Sequence, residues 1–223
     1  MKKFIITILA ALAALTLCGC SDSAEDTFSE HSWQSGETEI TSVSIDVRDR
    51  AVVVAISPDE CVSMDYFDSD KEFFNISVSA AGDLTVTAAD NKQWSDYIGS
   101  KADASVRQIY IELPQSALES LTISTTNENV TLPALSVAKT ISVSVNGGSI
   151  FSDGADAGRA LILASKNGDI SGTVAGAYED YAITCDIKKG ESNLPASKSG
   201  GERALNVTAN NGDIDIQFTG RGD

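Results

Sequence analysis

The sequence predicts an all-β protein that folds as a single β-solenoid, with stacked coils of about 20–22 residues. Two observations favour this fold class. From Ile40 onward, apolar and polar residues alternate along short segments, which is typical of half-buried strands. In the second half, similar segments recur at a nearly constant spacing, each with a turn rich in Asn and Gly. No segment of comparable length has a convincing helical period.

Residues 1–19 are predicted to be a signal peptide. Lys2 and Lys3 form a basic start, and the apolar run from Phe4 to Leu17 is too short to span a bilayer comfortably. The run ends in Leu-Cys-Gly-Cys at 17–20, which resembles a bacterial lipobox with Cys20 as the lipidated residue. The alternative is an ordinary secretory signal with incidental cysteines.

Lipidation at Cys20 predicts an exported protein that is anchored to the bacterial cell membrane without spanning it. Ser21, rather than Asp, follows Cys20. In a host with two membranes, the lipoprotein pattern then favours the outer membrane.

Residues 20–39 are predicted to be an acidic, flexible tether. The segment is polar and lacks a hydrophobic period, as expected of a disordered spacer. Its two isolated aromatics are Phe28 and Trp33, and it also contains His31, the single histidine of the chain.

The predicted solenoid domain spans residues 40–218 and is followed by a short tail at 219–223. Its first strand carries Val43, Ile45 and Val47 on one face. Further strands are predicted at 52–56, 62–66, 74–78, 84–87 and 108–113. A short helix is predicted within 91–99, where Trp94, Tyr97 and Ile98 have i, i+3, i+4 spacing.

Five repeat units begin at Leu121, Ile141, Leu161, Tyr181 and Leu205. Each has an alternating strand, a turn and a second short strand, and one such unit cannot bury its apolar face alone. Stacking would bury one continuous column, made of Leu121, Ile123, Ile141, Val143, Val145, Leu161, Leu163, Tyr181, Ile183, Cys185, Leu205 and Val207. An antiparallel sandwich of hairpins is the alternative, since it also uses Asn-Gly turns.

The repeat, the closing Asn-Gly-Asp-Ile-x-Ile at 211–216 and the Ile-Glu-Leu-Pro at 111–114 resemble the DUF4097 family of bacterial β-strand-repeat envelope proteins. The resemblance covers about 40–218. It implies a β-solenoid and an exported or membrane-linked location. Members are often labelled adhesins, and the family supplies no catalytic residues to transfer.

The charge of the chain excludes several classes of function. Asp plus Glu number 32 against 16 Lys plus Arg, for a net charge of −16, which argues against binding nucleic acid. With one histidine, no Cys-x-x-Cys and no Gly-rich phosphate loop, the sequence predicts neither an enzyme nor a cofactor.

Cys61 and Cys185 are predicted to be two separate thiols. In a solenoid they would lie several coils apart, and coils are about 4.8 Å apart, whereas a disulfide needs Cα atoms within about 7 Å. Cys185 is in phase with the buried column, which predicts a small buried apolar role.

Two candidate sites follow from sequence position. Asp169, Glu191 and Asp213 occupy equivalent turn positions, so stacking would form a carboxylate column, either solvated or holding a hard cation such as Ca²⁺. Arg221, Gly222 and Asp223 form an adhesion-type tripeptide on a terminus that is expected to fray.

These features favour a non-catalytic, lipid-anchored binding or adhesion module that presents a rigid surface to a glycan or a protein. The alternative is a structural or regulatory envelope lipoprotein that acts through a protein partner or through self-association of its solenoid ends. Solenoid ends expose strand edges, and the C-terminal strand predicted near 214–218 is apolar on one face.

Overall fold

A computed structural model describes residues 26–97, 101–115 and 118–220. This part of the chain is all β apart from three short 3₁₀ helices, at Trp94–Tyr97, Ala104–Val106 and Tyr178–Asp180. In chain order, the strands are β1 (Ser29–Gln34), β2 (Ser42–Asp46), β3 (Ala51–Ile56), β4 (Ser63–Asp68), β5 (Glu72–Val78), β6 (Asp83–Asp90), β7 (Gln108–Leu113), β8 (Ser120–Thr125), β9 (Val130–Leu132), β10 (Ser136–Val137), β11 (Thr140–Val145), β12 (Ile150–Ala157), β13 (Ala160–Asn167), β14 (Ile170–Val174), β15 (Tyr181–Lys189), β16 (Ser197–Lys198), β17 (Arg203–Asn211) and β18 (Ile214–Phe218).

The strands form two sheets of nine strands each. The first sheet has the order β1-β4-β7-β3-β9-β12-β14-β18, with β10 also pairing with β12. The second has the order β16-β15-β17-β13-β11-β8-β2-β6-β5. Most neighbouring strands are parallel, because each coil places one strand in each sheet and the next coil repeats the direction.

The core is one apolar column between the sheets. Ile141 pairs in register with Leu121 on one side and with Leu161 on the other, so apolar side chains of successive coils stack directly. Every residue predicted to line the interior is buried. The all-β solenoid prediction is therefore confirmed.

The coils are not stacked in sequence order at either end. β2 lies between β6 and β8, and β17 lies between β13 and β15. The last repeat unit, which begins at Leu205, thus lies between the units that begin at Leu161 and Tyr181. Repeat similarity identifies equivalent coils, but it carries no information about which coils are neighbours.

The N-terminal end of the stack corrects the predicted tether. Residues 20–39 were expected to be flexible, yet β1 pairs antiparallel with β4, from Ser29 opposite Asp68 to Gln34 opposite Ser63. Trp33 also packs against the core. The pairing uses backbone hydrogen bonds, which do not require alternating apolar residues. The polar sequence of β1 therefore gave no pattern from which a strand could be predicted. Residues 20–25 and the predicted signal peptide lie outside the described residues.

Other local predictions differ from the structure in smaller ways. The expected helix within 91–99 is the single 3₁₀ turn Trp94–Tyr97, and residues 98–100 are not described. Cys61, in the β3–β4 loop, and Cys185, in β15, are free thiols, and only Cys185 is buried. Within the described residues, no helix has the length and apolar character needed to cross a membrane.

Candidate binding surfaces

The outer face of the second sheet is lined with hydroxyl groups. Because side chains alternate between the two faces of a strand, the residues between the buried ones face outward. Ser44, Thr122 and Ser142 lie side by side across β2, β8 and β11. Two residues further along, Ser124 and Ser144 form a second row. The result is a polar face with its hydroxyls set at the spacing of the strands.

A shallow groove of about 330 Å³ lies where this face meets the turns. Ser124, Ser144, Lys166, Thr208 and Asn210 are among its lining residues. They come from the ends of β8, β11, β13 and β17, so the groove runs across several coils. Hydroxyl and amide groups can donate and accept hydrogen bonds, and Lys166 adds one cation. We refer to this outer face with its groove as the hydroxyl face.

The predicted carboxylate column is formed, but its order and its role differ from the expectation. The backbone N–H of Asp213 donates to Asp169 Oδ1 at 2.8 Å, and the backbone N–H of Glu191 donates to Asp213 Oδ1 at 2.8 Å. The order along the stack is therefore Asp169, Asp213, Glu191. Two of the three carboxylates accept hydrogen bonds that tie one coil to the next. Within the described ranges, no group of three or more His, Cys, Asp or Glu is arranged to hold a metal ion.

Glycines beside this column allow the coils to approach. A Cβ on Gly168 would lie 2.2 Å from the carbonyl oxygen of Gly148, and one on Gly212 would lie 2.3 Å from the carbonyl oxygen of Gly168. Both glycines also have positive φ angles, 155° and 149°. The Asn-Gly-Asp pattern thus serves coil stacking, and its carboxylates need no cation to explain their position.

A second concave surface lies at the N-terminal corner of the molecule. Its volume is about 620 Å³, and Ser29, His31, Asp68, Asp70 and Asn91 line it. His31 Nε2 lies 2.8 Å from Asp68 Oδ1, and the imidazole stacks on the Tyr66 ring. His31 therefore fastens β1 to β4.

A buried charge cluster supports this corner. The Arg50 guanidinium is 2% exposed and lies 2.7 Å from Glu72, which also pairs with Lys92. The guanidinium stands over the rings of Phe28 and Phe74, at 5.6 and 5.7 Å. Burial raises the pKa of Glu72, but hydrogen bonds from Lys92 and Arg50 outweigh it and hold that pKa below its ordinary value.

The corner also carries two exposed aromatics, Trp94 and Tyr97, which the sequence predicted to lie in a short helix without marking a site. Trp94 is 78% exposed and Tyr97 is 64% exposed. They are the first and last residues of the 3₁₀ turn between β6 and β7. Their isolation in a polar connection was the signal available in the sequence.

The strand edges at the two ends of the stack differ in whether they are covered. At the C-terminal end, the side-chain amide of Asn193 donates to the carbonyl oxygen of Ile216 at 2.9 Å and accepts from the Ile216 N–H at 3.0 Å. It covers the edge of β18 at Ile216, and backbone bonds to Glu191 and Asn193 cover the same edge at Ile214. At the other end, β5 is the terminal strand of the second sheet.

The backbone of β5 has one side without a strand partner among the described residues. Asn91 N donates to Lys71 O, and Ser79 N donates to Asp83 O. In an antiparallel ladder, alternate residues bond to the same neighbour, so Phe74, Ile76 and Val78 direct their backbone groups away from β6.

Two predicted sites lie where the structure gives no information. Cys20 and the tripeptide Arg221, Gly222 and Asp223 are outside the described residues.

A solved structure shares this architecture. It is the crystal structure of "a putative cell adhesion protein" from Clostridium sporogenes. The match covers 87% of this chain and 100% of that chain, with 13% sequence identity and a TM-score of 0.60. A weaker likeness, with a TM-score of 0.35 and 10% identity, links 85% of the chain to 97% of "a putative adhesin" from Bacteroides fragilis. No curated protein matches. The Toastrack DUF4097 family model matches residues 40–223, and the chain therefore belongs to the Toastrack DUF4097 family.

Proposed function

We propose that this protein is a lipid-anchored, non-catalytic binding module of the bacterial cell envelope, which holds a glycan chain on its hydroxyl face. Cys20 would carry the lipid, and the solenoid would be the exported domain. The likeness to a structure described as a cell adhesion protein supports the fold of such a module.

The observation that carries the proposal is the set of hydroxyl rows on β2, β8 and β11, which β13 interrupts with Ile162 and Ala164 before Thr208 adds a further hydroxyl in the groove. A repeating polymer can contact successive coils with successive sugar units, because both repeat along one axis. The groove offers hydroxyl, amide and ammonium groups, which can hydrogen-bond to sugar hydroxyls. Its shallow form favours an extended chain over an enclosed small molecule.

The test is binding of purified cell-wall polysaccharide and of a glycan panel to the full chain. Ser144→Arg and Thr208→Arg place large side chains in the groove, and we expect affinity to fall by roughly tenfold or more. Thr131→Arg makes a matched change in β9 of the first sheet and should leave binding unchanged. Equal binding by all three variants would remove the hydroxyl face as the site.

The open side of β5 favours a second candidate function, a structural or regulatory lipoprotein that acts by strand pairing with a protein or a second copy. From Phe73 to Gly82 the chain carries no charged residue, and exposed edges usually carry charges that prevent pairing. Light scattering of the full chain over a range of concentrations tests self-association. Ile76→Pro removes an outward backbone N–H that a new strand would use and should abolish a concentration-dependent mass. Ile76→Val keeps that N–H and an apolar side chain on the core, and it serves as the control.

A further inference from the structure

The chain enters the fold at the same corner that carries its exposed aromatics. Asp26, the first described residue, accepts a hydrogen bond from Ser69 Oγ at 2.7 Å. Ser69 begins the tight turn between β4 and β5, where its N–H donates to Glu72 O at 2.7 Å. The entry point of the chain is therefore fixed on this turn.

The aromatic connection is fastened to the same turn. Lys71 Nζ lies 2.8 Å from Asp96 Oδ1, and Asp96 Oδ2 accepts from the Gln93 N–H at 2.8 Å. Lys92 stands 5.4 Å from the centre of the Tyr97 ring and pairs with Glu72. These contacts hold the 3₁₀ turn, and with it Trp94 and Tyr97, beside the point where the chain enters.

The length of chain between Cys20 and Asp26 limits how far the lipid can be. Six residues span at most about 20 Å when fully extended. If Cys20 carries the anchor, the headgroup layer must lie within about 20 Å of Asp26, which keeps this corner close to the bilayer. The expected spacer of residues 20–39 would have allowed roughly three times that separation, and β1 removes most of it.

The chemistry of the corner suits a lipid interface. Trp and Tyr have apolar rings with a polar group and favour the headgroup layer. Three carboxylates beside the aromatics have cationic partners, Asp96 with Lys71, Glu72 with Lys92 and Arg50, and Asp90 with Arg48 at 3.5 Å. Asp26, Asp68 and Asp70 add negative charge at the same corner. The local compensation matters because the chain as a whole has a net charge of −16, which would oppose contact with anionic lipid.

We propose that Trp94 and Tyr97 insert into the headgroup layer of the membrane that holds the Cys20 lipid, so that the N-terminal end of the solenoid rests on the bilayer. The proposal rests on the lipid anchoring in the proposed function. It makes this corner a second, lipid-binding surface that is separate from the hydroxyl face.

Tryptophan fluorescence tests the insertion directly, since the chain has two tryptophans, Trp33 and Trp94. The full lipidated chain is purified from cells and reconstituted in phosphatidylcholine vesicles, with and without brominated acyl chains. Trp33→Phe leaves Trp94 as the reporter, and Trp94→Phe leaves Trp33. If Trp33→Phe fails to fold, the wild-type signal minus that of Trp94→Phe gives the same quantity.

We expect bromine to quench at least about half of the Trp94 emission and to quench Trp33, which packs on the core, far less. Unquenched Trp94 in vesicle-bound protein would overturn the insertion and leave the anchoring intact. A blue shift without quenching would place Trp94 against protein and would also overturn it. A chain that neither floats with vesicles nor carries an acyl mass would overturn both the anchoring and the insertion.

Discussion

Asn193 shows how one side chain can end a sheet. Its amide presents one donor and one acceptor to Ile216, the pair that a neighbouring strand would present. Its Nδ2 also lies 2.9 Å from Asp215 Oδ1, which fixes the orientation of the amide. The side chain therefore covers the edge of β18 at Ile216, next to Ile214, whose backbone bonds to Glu191 and Asn193. Another chain cannot extend the sheet from this stretch.

Asn193→Leu keeps the size of the side chain and removes both bonds. We expect the free energy of unfolding to fall by about 1–2 kcal/mol, because the Ile216 backbone groups lose their partner, and the exposed edge should promote association. Urea unfolding and light scattering measure the two effects. Asn206→Leu, on the outer face of β17, is the control, and an equal loss of stability there would argue against edge capping.

Glu72 connects stability to pH through the buried Arg50. Its folded-state pKa lies below the ordinary value of 4.5, so the folded state binds fewer protons than the unfolded state near that pH. The stabilisation from Glu72 is therefore complete above about pH 5 and is lost as the pH falls through the folded-state pKa.

Glu72→Gln should cost roughly 3 kcal/mol at neutral pH, because it leaves the Arg50 guanidinium buried without its carboxylate. The difference from wild type should shrink below about pH 4. Thermal unfolding from pH 3 to pH 8 measures it. A constant difference across this range would show that Glu72 does not titrate in this way.

The elements differ in how well the sequence predicts them. Strands that face the core on one side, such as β2 and β11, have apolar residues at every second position, and the period of two was sufficient to find them. β1 has only Trp33 on the core, so it lacked a readable pattern. The places of β2 and β17 in the sheets depend on contacts far apart in sequence, which a repeat pattern does not encode.

His31→Pro tests whether β1 is a true strand. Because Ser35 N donates to Val62 O, residues 31 and 33 direct their N–H groups to β4. Proline at 31 removes one of these bonds and the His31–Asp68 pair. Hydrogen exchange should quicken at the amides of Met64 and Tyr66, which face β1. Glu30→Pro, whose lost N–H points away from β4, should leave these amides protected.

At the scale of the hydroxyl face and the turns, the sequence predicted that Asp169, Glu191 and Asp213 stack, because turns at equal repeat positions superimpose. It did not predict that their carboxylates bond to the next backbone N–H, since that depends on the depth of the turn. The sequence did not predict the hydroxyl face as a binding surface. Ser and Thr that alternate with apolar residues indicate only that one face of a strand is exposed to solvent.

At both ends of the molecule, a strand lies between two strands that are not its neighbours in the sequence. The coil of β17 and β18 is the last in the chain, yet β17 separates β13 from β15. Removing it would create a gap inside the stack instead of shortening the stack by one coil. Solenoid stability depends on contacts between neighbouring coils, so the outer coil would lose its only parallel neighbour in the described part of the second sheet.

A chain that ends after residue 202 should therefore lose both the missing coil and the docking of β15. We expect a large fall in melting temperature and fast exchange of the β15 amides, measured by calorimetry and hydrogen exchange. A truncated chain in which β15 stays protected would mean that β15 can move to pair with β13.

The seven strand-to-strand steps from β1 to β18 in the first sheet give the stack a length of about 34 Å. With its N-terminal end on the bilayer, the protein would extend from the membrane by at most that length. A polymer bound at the hydroxyl face would be held within about 34 Å of the lipid headgroups, so the module would sample only the layer of the envelope next to its own membrane.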